Sequence, residues 1–106
     1  MDVTAWNNGQ HHQTGAGYGF KVNTSDRDAN FQTSWKTILV SLPGSQMEVE
    51  VNIEKPSFWS TSCRELISAE FGRWLIENGY APWPSGAAPK FHLLSKGGNH
   101  FGLERQ

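Results

Sequence analysis

The chain has 106 residues, a net charge of −1, 37% hydrophobic and 12% aromatic residues, a length that supports one domain with one core. Its single cysteine, Cys63, excludes an internal disulfide. Its nine basic residues form no run, which argues against nucleic acid, and no stretch approaches the roughly 20 apolar residues that span a bilayer.

Residues 1–14 read as a polar, irregular segment. It lacks a basic start followed by an apolar stretch, so no signal peptide is expected, and with one cysteine the simplest expectation is a cytoplasmic protein. Gly17 to Asn23 reads as a strand. "NTSDRDANF" then enters a short helix, with Ser25 as N-cap, Asp28 as its capping-box partner, and Phe31 and Trp35 one helical turn apart. "KTILVSL" (36–42) is stopped by "PGS", and "MEVEVNI" (47–53) alternates strictly, with Met47, Val49, Val51 and Ile53 pointing one way. The two form an antiparallel hairpin.

The capping pattern then predicts a helix over 62–78, from Ser62 and Glu65 at its start to Gly79 just past its end. Cys63, Leu66, Ile67, Phe71, Trp74 and Leu75 recur at helical spacing. Gly72 within it costs roughly 1 kcal/mol relative to Ala, which points to something packed closely against it. "YAPWPSGAAPK" is a proline-rich connection, and "KFHLLS" and "HFGLE" flank "KGGN" as a last hairpin. The expected fold is a single α+β domain over 1–106. It has a curved antiparallel sheet, in the order β-β-β-α-β-β, on one central helix, with a small helix after the first strand.

"GAGYGF" (15–20) invites comparison with a phosphate loop. The dinucleotide fingerprint wants glycine at its sixth position, where Phe20 stands, and no Gly-Lys-Ser/Thr follows. As a strand it makes better sense: Gly15, Gly17 and Gly19 would share one bare face, which lets a ring or a neighbouring strand approach closely or the sheet bend, and on which a tryptophan ring is expected to lie.

Few residues carry chemistry. His11 and His12 are adjacent, which on an extended chain points them opposite ways, so no metal site is expected there. Asp26 and Asp28 flank Arg27; they can bind a cation or a basic partner, but acids favoured at a helix start explain them more simply. Cys63 in the first turn of a helix beside Arg64 has the setting of an activated thiol, but its place on the apolar stripe favours a small buried hydrophobe. His92, alternating with Phe91 and Leu93, reads as a surface residue. Trp83 sits between Pro82 and Pro84, a prepositioned ring suited to binding, or else a plug folded over the helix end. Trp6 poses the same choice.

Taken together, "WNNG", "GYGF", "DRD", "FW" at 58–59, "CRELISAEFGRWL" and "NGYAPWPSGAAPKFHL" are similar to a set of short bacterial proteins of unassigned function. The resemblance implies a stand-alone bacterial cytoplasmic domain and carries no activity. The leading expectation is a non-enzymatic binding module with a surface built from Trp6, Asn7, Asn8, His11, His12, Tyr18, Asp26, Arg27 and Trp83. Its ligand would be a protein or a small polar molecule, with no cofactor, no metal and no membrane. A small enzyme with Cys63 as nucleophile is one alternative, and nucleic-acid binding through stacked aromatics is another. A short exposed edge strand would offer a homodimer contact.

Overall fold

A computed structural model of the chain describes residues 1–106. Its elements are β1 (Asp2–Asn7), β2 (Tyr18–Val22), α1 (Thr24–Asn30), β3 (Thr37–Ser41), β4 (Glu48–Asn52), β5 (Glu65–Ile67), α2 (Ala69–Glu77), β6 (Lys90–Ser95) and β7 (His100–Arg105). The seven strands form one sheet in the order β4-β3-β7-β6-β1-β2-β5. Neighbours are antiparallel except β3 and β7, which run parallel with Val40 opposite Phe101. The sheet curls until its edges, β4 and β5, approach each other, so that it nearly closes into a barrel. The α+β expectation holds, and the sheet is mixed instead of wholly antiparallel.

Strand periodicity of two builds the core directly. Val49 and Val51, Ile38 and Val40, Phe101 and Leu103, Phe91 and Leu93, Val3 and Ala5, Phe20 and Val22, and Leu66 all point inward and are buried. The register places Val3 opposite both Val22 and Phe91, and Phe20 opposite Leu66. Both ends of the barrel are stoppered by aromatic rings. At one end α2 lays Phe71 edge-on to Phe20, with centroids 4.9 Å apart, and Trp74 edge-on to Phe91 at 5.6 Å. Trp74 also donates its indole N–H to Pro43 O at 2.9 Å, which ties the helix to the β3–β4 turn. At the other end Phe31 stacks on Phe101 at 4.8 Å and meets Phe58 edge-on at 5.4 Å.

Five local expectations need correction. Residues 2–7 of the expected irregular segment form β1, an interior strand between β6 and β2. Only Val3 and Ala5 carry its inward alternation, too faint a signal to read alone. The first helix is capped by Asn23, whose Oδ1 accepts from Asp26 N and whose Nδ2 donates to Asp26 Oδ2, both at 2.8 Å. The capping pair is therefore two residues earlier than Ser25 and Asp28. Phe31 ends this helix and Trp35 lies beyond it; the two meet around Phe101 instead of along one helix face.

The fourth correction is the largest. The helix expected over 62–78 begins only at Ala69, capped by Ser68 Oγ accepting from Glu70 N at 3.2 Å. Residues 65–67 are a strand paired with Gly19–Lys21. Arg64 sits at φ 75°, in the left-handed region, so the chain cannot be helical through it. At the far end the expectation holds, with Gly79 at φ 78° following the C-cap. Met47, expected inward by alternation, lies before β4 and is 73% exposed.

Candidate functional site

The two segments that the core pattern does not require, the polar N-terminal loop and the Trp83 connection, come together beside α2. The N-terminal loop is shaped from within. Asn7 Oδ1 accepts from Gly9 N at 2.8 Å and Asn7 Nδ2 donates to Gln10 O at 3.0 Å, while Asn8 Oδ1 accepts from Gln10 N at 3.1 Å. Asparagine suits this because its short amide mimics a backbone turn. Both side chains are therefore committed to forming the loop.

The glycines of 15–19 serve close backbone approach, but in a different way from a bare strand face. Gly15 and Gly17 precede β2, with φ of 87° and 79°, and only Gly19 lies in the strand. A Cβ on Gly15 would fall 2.1 Å from Ala69 O, one on Gly17 2.7 Å from the Asn8 side chain, and one on Gly19 2.4 Å from Leu66 O. What fills the space is main chain and an amide, not the indole shelf expected. The one tryptophan in register with them is Trp6, half-buried opposite Gly19. Gly72 is the other half of the Gly15 contact, which explains its place inside a helix. Arg73 Nη1 donates to Thr14 O at 3.1 Å and pins the same loop to α2.

On this support stands a ring cluster. Trp83 is half-buried, edge-on to His11 with centroids 5.2 Å apart and to Tyr18 at 5.7 Å. His11 and Tyr18 are themselves edge-on at 5.4 Å, and His11 Nδ1 lies 2.7 Å from Tyr18 Oη. Burial pushes the Tyr18 phenol above its usual 10.0. The Tyr18 hydroxyl and His11 Nδ1 thus satisfy each other in one hydrogen bond, which fixes the imidazole against the phenol. His12 is exposed and makes no side-chain bond. Trp83 is thus neither a free ring nor a plug over the helix end: it closes against the N-terminal loop. The molecule's three surface clefts lie elsewhere, so this site is a surface and not a pocket.

Arg27 turns inward. It is buried, donates through Nη1 to Phe58 O at 3.0 Å and Ser60 O at 2.6 Å, and lies 5.4 Å from the Trp59 ring. Its charge meets Asp28 at 3.0 Å. It clamps the loop before β5, and Asp26 is the capping partner of Asn23, so both side chains are engaged within the fold. Cys63 is half-buried in that loop, off the helix, so a helix N-terminus does nothing for its thiol. Its sulfur lies 4.0 Å from Ser62 Oγ. His92 pairs with Asp2 at 2.7 Å and His100 with Glu48 at 3.0 Å, both at the surface. No helix is long and apolar enough to cross a membrane.

No protein-family model, curated protein or solved structure matches the chain. The His11–Tyr18 hydrogen bond was the feature least legible beforehand. The signal for it was weak: a histidine and a tyrosine seven residues apart on either side of a glycine turn.

Proposed function

We propose that the chain is a binding module that recognises a protein partner with the surface where the N-terminal loop meets Trp83. The observation that carries this reading is the half-exposed Trp83 held edge-on between His11 and Tyr18. An indole fixed in this way loses little conformational freedom on binding, and tryptophan is enriched among the residues that dominate interfaces. The loop that carries His11 also carries Gln10, His12, Gln13 and Thr14, all exposed, which can supply polar contacts beside the aromatic centre. The absence of a cleft at this place favours a flat protein surface over a small ligand.

The test compares partners recovered by the intact protein with those recovered by Trp83→Ala and His11→Ala, alongside thermal unfolding of each. Truncating a central anchor costs on the order of 2 kcal/mol of binding or more, so a genuine partner should drop at least about thirtyfold in affinity for Trp83→Ala. If the variants lose stability and yet retain every partner at full affinity, the cluster is only structural and the reading fails.

A further inference from the structure

On the outer face of the sheet, away from the ring cluster, a shallow cleft of about 380 Å³ is lined by Asp2, Thr4, Lys21, Asn23, Arg64 and Lys90, with Val22 beneath. The register explains why. Thr4 stands directly opposite Lys21 on one side and Lys90 on the other, so two lysines flank one threonine across three adjacent strands. With strands about 4.8 Å apart, the lysine backbones lie roughly 10 Å from each other, close enough for both ammonium groups to meet over Thr4. Arg64 enters from the loop before β5.

None of these cations has a carboxylate within 4.0 Å. The carboxylates within 4.0 Å of a basic side chain pair with Arg27, His92 and His100, and none belongs to Lys21, Arg64 or Lys90. Lys21 donates to Ser62 O at 3.2 Å, and Arg64 donates to Val22 O at 2.8 Å and to Thr61 O, all neutral carbonyls. Asp2, the one acid in the lining, lies 2.7 Å from His92 Nδ1. Glu65 stands in register with Lys21 but outside the lining, its Oε2 buried and without a hydrogen-bond partner. Arg64 is also the one non-glycine residue held at positive φ. Such strain persists where the surroundings impose it and gathers at ligand sites.

We infer that this cleft binds an oxyanion of the phosphomonoester class, with Lys21, Lys90 and Arg64 supplying charge and the Thr4 hydroxyl a hydrogen bond. Three cations around one hydroxyl suit a dianion with several acceptor oxygens better than a single carboxylate. The volume leaves room beyond the phosphate for the group that carries it.

The probe is inorganic phosphate, titrated into isotope-labelled full-length protein at constant ionic strength and followed by amide NMR. The expected result is a saturable shift concentrated at Thr4, Lys21, Asn23, Arg64 and Lys90, and an affinity weakened roughly tenfold or more in the K21Q/K90Q variant. Lys90→Gln alone, at an exposed side chain without internal bonds, keeps the fold and should weaken binding in part. Arg64→Lys keeps a cation at the same positive φ but removes the guanidinium bonds to Val22 O and Thr61 O, so phosphate binding should persist at reduced affinity, whereas Arg64→Gln should lose more of it. Shifts that rise linearly and equally at Lys36, Lys55 and Lys96, or unchanged affinity in K21Q/K90Q, would overturn the inference. Co-sedimentation with phosphatidic acid vesicles tells a lipid-borne phosphomonoester from a soluble one.

Discussion

Replacing Gly72 by alanine tests how the helix is seated. Alanine is the better helix former, and on propensity alone the change adds about 1 kcal/mol of stability. The seat reverses the sign. A methyl at this position would come within 2.2 Å of Gly15 O, 2.5 Å of Gly15 Cα and 2.7 Å of Gly15 C. Comfortable contact begins at about 3.5 Å, so helix and loop must separate by roughly 1 Å. Neither can yield by rotating a side chain, because both surfaces are main chain. That separation loosens the Phe20–Phe71 contact, now at 4.9 Å, and the Arg73 bond to Thr14. Overpacking of this kind costs about 1 to 3 kcal/mol, and a loosened ring pair roughly 0.5 to 1.5 kcal/mol. Against the propensity gain, the expected net loss is about 2 kcal/mol, a fall in Tm of roughly 8 to 16 °C for a domain this size. Urea unfolding followed by tryptophan fluorescence measures it, with Glu77→Ala, an exposed position on the same helix, as control. A Gly72→Ala protein as stable as the parent would refute the Gly15 seat.

Two further outcomes follow from buried polar groups. Arg27→Met keeps the stem but leaves the Phe58 and Ser60 carbonyls without their charged donor, so urea unfolding should show a loss of about 2 to 4 kcal/mol; a loss under 1 kcal/mol would mean the clamp is idle. Tyr18 has a phenol raised above 10.0 by burial, so the folded state holds its proton more tightly than the unfolded chain. That contribution is fully present below pH 10 and is lost as the pH climbs through the folded-state value. The parent protein should therefore destabilise above pH 10 more steeply than Tyr18→Phe, and superimposable alkaline profiles would count against it.

The hairpin β3–β4 and the hairpin β6–β7 were legible because their signals are local: alternation within each strand and a glycine turn between. The end of α2 was legible for the same reason, since Gly79 marks it. The start of α2 was not. Leu66 and Ile67 continue the helical spacing, and what makes them a strand is pairing with Gly19, nearly fifty residues away, whose missing side chain admits the Leu66 carbonyl. A tertiary pairing overrode a local pattern. The candidate site was half legible. Trp83 and the N-terminal loop stood out because the core did not need them, and the structure brings them together. Arg27 and Asp26 stood out equally, yet the fold spends them on a loop clamp and a helix cap. Sequence marks a residue as unusual without saying whether the protein or a partner receives it.

The rings also decide where a ligand can sit. A chain with only 37% hydrophobic residues closes its barrel with large aromatic side chains. Phe20, Phe58, Phe71, Phe91 and Phe101 are all at most 1% exposed. Small barrels of this kind fill their interior with side chains, in contrast to larger ones that enclose a ligand. The inner face is thus filled by the core, which leaves the rim beside α2 and the outer face of the sheet as the only places open to a ligand. The two proposed sites occupy those places and rest on different chemistry. One rests on Trp83 and answers to a single ring; the other rests on charge and answers to lysine neutralisation. Raising ionic strength should therefore weaken phosphate binding at Lys21 and Lys90 while leaving a Trp83-anchored contact nearly unchanged.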